Sequence, residues 1–326
     1  MGIKAFRKLQ MGPETTEGTN VDATSIWRGK GTLQDNMTTV FPEEDIGLLT
    51  GADRSYVAKY EALLSLEETE ATFQQLPYLF EMSMYSTTST TDSSGFLYTY
   101  TMPLASSDIK TSTDLGTYSW ECGDDVQAEE FSYGVCQNFS LSGEGGGALM
   151  MSAEIIGRQV STTTFKAGLS IPTVEEILFS KGKLYIDNVK AFPATTQISN
   201  TLIAATLSVN TGWVPVYTAD GSLYFSFVKQ TTPEITLSAT FEYNTSALAE
   251  IAAWRAGTAR VLRLEFSGST SAYKLYLDLA GKWDNFEKIG EKDGNDIVVG
   301  TFRARYNATV GDMFRAIIYN NLEALP

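Results

Sequence analysis

At 326 residues, with 43% hydrophobic and 12% aromatic content, the chain is long enough for two domains of ordinary size and apolar enough to build real cores, which excludes a disordered protein. It has no histidine and two cysteines, so imidazole or thiolate metal centres and histidine-based catalytic triads have no basis, and Cys122 and Cys136 are read as unpaired thiols. A formal charge of −15 argues against a protein that grips nucleic acid through clustered Lys and Arg.

In chain order, residues 1–26 carry Gly12, Pro13, Gly18 and a string of Glu, Thr and Asn, a composition that predicts an extended arm reaching a neighbour. Met1 to Gln10 lacks the apolar core of a signal peptide, Phe6 stands where a myristoylation signal needs Ser or Thr, and no apolar run approaches the ~18 residues of a membrane helix. A soluble protein with no membrane partner is therefore expected. Trp27 to Gln34 opens the first strand, and a long connection rich in acid, Pro and Gly follows to Asp53. Tyr56 to Leu66 alternates as a strand, Glu67 to Tyr78 reads as a short helix, and Leu79 to Tyr85 as a returning strand. Ser86 to Ser94 reads as an exposed loop, Phe96 to Met102 as a strand, and Asp108 to Ala128 as irregular. Phe131 to Leu141 and Leu149 to Gly157 alternate around the Gly143 to Gly147 turn, which predicts a hairpin. A Thr-rich crossing after Ser161 places a boundary near Ala167, giving an arm (1–26), a first module (27–166) and a second module with a C-terminal tail (167–326).

In the second half, Lys183 to Asp187, Thr201 to Val209 and Ser222 to Val228 read as strands, with Asp220-Gly221 a hairpin turn between the last two. Pro233 to Gly268 is the clearest unit of the chain. Ile235 to Tyr243 alternates, Asn244 to Ser246 can cap a helix whose stripe is Leu248, Ile251 and Ala252, Gly257 can stop it, and Val261 to Phe266 alternates again. Tyr273 to Leu279 and Ile297 to Tyr306 are further strands, flanking Asp293-Gly294, and Asn320 to Pro326 is a tail. The strand, helix, strand order of this unit matches that of Tyr56 to Tyr85, which suggests two copies of one mainly β module.

Motifs for chemistry are sparse. The Gly143 to Gly147 turn lacks the Lys-Ser/Thr of a phosphate loop, and Glu291 to Asp296 lacks calcium-loop spacing, so no cofactor and no metal is expected. The pairs Glu67/Glu68, Glu129/Glu130 and Glu175/Glu176 are nominal carboxylates for a glycosidase, but adjacent acids on a strand point to opposite faces. More informative are the polar strand faces, Lys59, Glu61, Ser65 and Glu67 in one half and Glu234, Thr236, Ser238, Thr240 and Glu242 in the other. These read either as ordinary solvated sheet or as the wall of a wetted channel with an acidic bias, past which a polyanion slides without sticking.

Several stretches together resemble the two-module tail tube proteins of long-tailed phages. They are Trp27-Arg28-Gly29-Lys30-Gly31, Phe41 to Gly47, Ala71 to Leu79, Asn210-Thr211-Gly212, Tyr217 to Gly221 and Ala280-Gly281-Lys282-Trp283, covering nearly the whole chain. The resemblance implies two tandem β-sandwich modules, each with a flanking short α-helix, whose inner sheets join into a ring-wide β-barrel. It further implies trimeric rings with pseudo-sixfold symmetry, stacked into a tube in the virion tail after assembly in the host cytoplasm. Its implied partners are tape measure, tail terminator and distal tail proteins and passing genomic DNA, and it implies no catalytic residue. By position, Lys59, Glu61, Glu67, Glu234 and Glu242 would face the lumen, and Pro42, Glu43, Glu44, Asp45 and Arg54 would make contacts between rings. The alternative is a virion adhesin or carbohydrate-binding β-sandwich on the tail exterior.

Overall fold

Period-two alternation dominates the chain, and the computed structural model, which describes residues 3–51, 53–86, 89–92, 95–102 and 115–325, is accordingly mainly β. In the first half the strands are β1 (Lys8–Pro13), β2 (Ser25–Ile26), β3 (Gly31–Asp35), β4 (Thr38–Val40), β5 (Tyr56–Lys59) and β6 (Ala62–Glu70). Helix α1 (Leu76–Glu81) follows, then β7 (Tyr85–Ser86), β8 (Thr90–Asp92), β9 (Gly95–Thr101), β10 (Tyr118–Gly123), β11 (Ala128–Glu144), β12 (Met150–Gly157) and β13 (Ser161–Thr163). The second half has β14 (Gly182–Asn188), β15 (Gln197–Ile198), β16 (Leu202–Asn210), β17 (Trp213–Val216), β18 (Phe227–Gln230) and β19 (Glu234–Glu242). It continues with α2 (Thr245–Arg255), β20 (Arg260–Ser267), β21 (Lys274–Phe286), β22 (Gly290–Lys292), β23 (Asn295–Ala304) and β24 (Phe314–Asn320).

One antiparallel sheet runs through both halves in the order β3, β6, β12, the C-terminal part of β11, β16, β19, β23 and the C-terminal part of β21. β11 and β21 are long enough to leave this sheet. Their N-terminal parts belong to a second layer, with β13, β10, β1 and β2 around β11 and with β24, β9, β20, β14 and β15 around β21. Register slips after Cys136 and Trp283 mark where each strand bends between layers. The layers enclose a continuous core in which Leu64, Phe139, Leu207, Leu237 and Phe302 of the long sheet join Met11, Trp120, Leu264 and Leu277 of the other layer.

Several expectations are corrected. The stretch expected as an arm is not free over residues 8–26: Lys8–Pro13 pairs with β10, and Met11 is fully buried. The turn after it is fixed by the Glu14 carboxylate, which accepts from Gly18 N at 2.7 Å, Thr117 Oγ1 at 2.8 Å, Ser119 Oγ at 2.8 Å and Tyr133 N at 2.7 Å. Within the stretch read as irregular, β10 forms because its polar residues are buried acceptors: Val21 N donates to Ser119 Oγ, and Ala23 N and Lys166 N donate to Glu121. The helix expected over Glu67 to Tyr78 begins only at Leu76. Pairing with β12 carries the strand on through Glu70, and Leu76, Leu79 and Phe80 supply the helical spacing, so of the strand expected over Leu79 to Tyr85 only Tyr85 pairs, as the start of β7. Asp220-Gly221 does not join β16 to a neighbour: it lies in the loop between β17 and β18, while β16 pairs with β11 and β19. Phe314–Asn320 is a strand that precedes the tail.

The unit at α2 keeps its predicted ends. Asn244 Oδ1 accepts from Ser246 N at 3.0 Å and Ala247 N at 3.1 Å, and Gly257 follows the helix with φ at 64°. The buried stripe is rotated from Leu248 and Ala252 to Ala247, Glu250, Ile251 and Ala253, leaving Leu248 exposed. The rotation places the Glu250 carboxylate where Trp283 Nε1 (2.8 Å) and Arg260 Nε (3.0 Å) both donate to it. Asp293 and Gly294, with φ at 52° and 81°, form the tight turn joining β22 to β23.

Two buried acids are in different situations. Asp278, wholly buried, accepts from Arg263 Nε at 2.6 Å, Arg263 Nη2 at 2.8 Å and Arg315 Nη2 at 3.0 Å. Asp278→Ala leaves two guanidinium groups without their anion, and chemical denaturation is expected to show a loss of about 3–5 kcal/mol; a loss under about 1 kcal/mol would refute this role. Among the described residues Glu81 forms no ion pair: burial raises its pKa above 4.5, opposed by the hydrogen bond from Tyr118 Oη at 2.6 Å. The folded state thus holds this proton to higher pH than the unfolded chain, so the stability it contributes is complete below about pH 4.5 and is lost as pH rises through the folded pKa. Glu81→Gln is expected to raise the melting temperature at pH 7, with the gain shrinking below pH 4.5; a gain independent of pH would contradict this.

Candidate functional site

Because successive side chains alternate, the long sheet has one face in the core and one left to polar residues. The strand register aligns that second face in rows. Ser65, Glu154, Asn138, Asn210 and Glu234 are consecutive cross-strand neighbours, as are Ser152, Ser140, Ser208 and Thr236 in the next row. Thr206, Ser238 and Thr301 continue the surface across β16, β19 and β23. All are at least partly exposed, while Leu64, Ile155, Phe139, Leu207, Leu237 and Phe302 on the reverse side are buried. Between Ser65 and Asn210 the surface sinks into a shallow depression of about 480 Å³. The chemistry is that of short neutral side chains with carboxylates at intervals, and with Arg303 and Lys282 ending the row of Thr236, which suits a surface that stays wet.

Of the expected face residues, Glu67, Glu234 and Glu242 project from this side. Glu67 is exposed and accepts weakly from Thr32 Oγ1 at 3.4 Å, and Glu234 is exposed with Arg303 Nη1 at 2.8 Å. Glu242 is partly exposed at the end of β19. Lys59 and Glu61 do not belong to the face. The strand breaks between Lys59 and Ala62, Tyr60 N donates to Leu223 O, and Glu61, 14% exposed, accepts from Asn36 Nδ2 at 3.0 Å and Tyr217 Oη at 2.8 Å. Burial and the hydrogen bond to Glu61 push the Tyr217 hydroxyl pKa up, so this contact is a neutral phenol on a carboxylate. The expectation failed because alternation was extended across a two-residue break that a hairpin from the other half covers.

Pro42, Glu43, Glu44, Asp45 and Arg54 lie in the loop between β4 and β5. Arg54 Nη1 meets Glu44 Oε1 at 2.8 Å, and the same loop exposes Phe41 (72%), Leu48 (64%) and Leu49 (105%). Sequence reading took Asp220-Gly221 as a turn but missed β17 as the strand before it, and it missed Arg158, which holds the β17–β18 hairpin: a single arginine after a strand carries no pattern. Arg158 Nε donates to Phe225 O at 3.1 Å and Nη2 to Ser226 O at 2.7 Å, with its guanidinium 4.8 Å from the Tyr133 ring centre.

The remaining candidates are engaged structurally. In the glycine-rich turn Gly145 N, Gly146 N and Gly147 N donate to Ile203 O, Ser180 Oγ and Glu144 O, so these amides are not free to cradle a phosphate. Glu175 accepts from Ser269 Oγ at 2.7 Å, and Glu129 and Glu130 are adjacent on β11, facing opposite sides. Cys122 and Cys136 are free and buried, and burial pushes the Cys136 thiol up to about 12, which leaves it unreactive.

If the acids of the polar face serve passage rather than folding, replacing Glu67, Glu234 and Glu242 with Gln should each change stability by no more than about 0.5 kcal/mol. Thermal denaturation checks this, and a loss above about 2 kcal/mol for Glu67 or Glu242 would make that residue structural. No family model matches the chain, and no curated protein matches it in sequence.

Proposed function

We propose that the chain is a structural subunit of a phage tail tube, built from two tandem modules whose sheets join those of other copies into a ring-wide barrel. The observation that carries this reading is a repeated set of pairings. β1 with β2, β1 with β10, β10 with β11, β11 with β12, β12 with β6 and β6 with β3 recur in order as β14 with β15, β14 with β20, β20 with β21, β21 with β23, β23 with β19 and β19 with β16. The helices α1 and α2 follow β6 and β19, and the hairpins β4–β5 and β17–β18 precede them.

Aligning these pairings supports descent from one module. Thr32, Leu33 and Asn36 fall on Thr206, Leu207 and Asn210; Leu64 and Ser65 fall on Leu237 and Ser238; Gly134, Asn138 and Phe139 fall on Gly281, Asn285 and Phe286. Each half gives four strands to the long sheet, and β11 with β16 is the junction between halves. The matching junction, β21 with β3, is absent within the chain, and among the described residues β3 and the C-terminal part of β21 are the sheet's two edges. An edge of each kind on every copy is a heterologous contact that closes under rotation. Six equivalent halves close as three chains, with the polar face lining the channel. Its Ser, Thr and Asn rows with Glu67, Glu234 and Glu242 let DNA pass without tight binding, since the cations that end one row, Arg303 and Lys282, are few and Arg303 is already held by Glu234 and Asp284. Stacked rings then make the tube, with tape measure, terminator and distal tail proteins as partners, a place in the virion tail, and no catalytic role.

Negative-stain electron microscopy of the concentrated protein, with mass measured on the same sample, tests the reading. Hollow filaments or rings of three chains are the expected result. A monodisperse monomer at every concentration would overturn it and favour an adhesin-like β-sandwich.

A further inference from the structure

We infer that the β4–β5 hairpin of one copy seats laterally in a cleft beside Arg305 in the second half of the neighbouring copy. This rests on the ring reading above and deepens it. Within the chain, the β17–β18 hairpin of the second half lies over the first half: Trp213, Phe225 and Val228 cover Leu63, Val135 and Ile156, and Trp213 Nε1 donates to Ser83 O at 3.0 Å. Arg158 closes this seat by binding the hairpin's carbonyls at Phe225 and Ser226.

The repeat places Arg305 at the position of Arg158, each one residue beyond the end of its strand, β23 and β12. By the same register Lys282 stands for Val135, Arg303 for Ile156 and Asp284 for Gln137. These residues line an open cleft of about 570 Å³ with Tyr306, the counterpart of a seat that is filled in the first half. Among the described residues the Arg305 side chain, exposed, has no hydrogen bond or ion pair.

The occupant equivalent to β17–β18 is β4–β5, and the chain's own copy is committed elsewhere: β3 and β6, from which it extends, begin the long sheet at the opposite edge from β21. Chemistry agrees with a second copy. The cleft offers Lys282 and Arg305, with Arg303 already paired to Glu234 and Asp284, while the loop of the hairpin carries Glu43, Glu44, Asp45 and Asp53 against Arg54. The internal seat is apolar because it is never opened, whereas a seat exposed before assembly must stay soluble, so charges replace Val135 and Ile156. Lateral seating leaves the tip near Pro42 to Asp45 at the rim, within reach of a stacked ring.

Arg305→Ala in the full chain tests the inference. Its melting temperature should match wild type, because the side chain has no partner among the described residues, while the concentration needed for assembly should rise about thirtyfold or more. In assembled protein mixed from light and heavy isotope chains, zero-length carbodiimide coupling should join Lys282 of one copy to Glu43, Glu44 or Asp45 of another. Assembly of Arg305→Ala at the wild-type concentration, or coupling of the loop only to other sites, would overturn the lateral seat and leave the tube standing. A wild-type chain that never assembles would overturn both.

Discussion

Every backbone amide and carbonyl at the edge of a sheet needs a partner, and in this protein the pairing of β11 with β16 meets that need between the two halves. Seven antiparallel residue pairs, from Asn138 with Asn210 to Glu144 with Ala204, join two sets of four strands into one sheet. The core beneath depends on this continuity. Leu141 and Leu207 are opposite each other across the junction and bury on the same side as Leu64 in one half and Leu237 in the other. A slip of one residue there would turn both rows outward.

The same constraint defines what one chain leaves unfinished. Among the described residues β3 has β6 on one side only, and the last residues of β21 have β23 on one side only. In the proposed ring these edges meet and no free edge remains, which removes the template for uncontrolled strand addition. The polar face is consistent with that proposal: the inner side of a sheet that bounds a water-filled channel needs short polar side chains, and the Ser, Thr and Asn rows are of that kind.

The two hairpins give the halves different characters. In the first, Trp213 and Phe225 bring an apolar cap that Arg158 holds by its carbonyls, so the seat is part of the folded core. In the second, the corresponding cleft is lined by Lys282, Arg303 and Arg305 and is open. If the halves are two copies of one module, as proposed, one copy of the interface is permanent and the other reversible. The division between apolar and charged lining is consistent with that difference.

The sequence by itself determined the elements whose neighbours are local. Alternation gave β6, β9, β11, β12, β14, β16, β19, β20 and β23, Asn244 and Gly257 gave the ends of α2, and Asp293-Gly294 gave a turn, because strand period, capping and positive φ act over a few residues. It also determined the outward direction of Glu67, Glu234 and Glu242, by parity alone. Tertiary structure decided the rest. β1 and β10 are strands because distant amides bind Glu14, Ser119 and Glu121, and Glu250 faces inward because Trp283 and Arg260 lie there to meet it. Lys59 and Glu61 leave the sheet face because a hairpin more than 150 residues away, carrying Tyr217, covers them. Spacing cannot carry such information, since these partners are fixed by the order of strands in the sheet and not by their order in the chain.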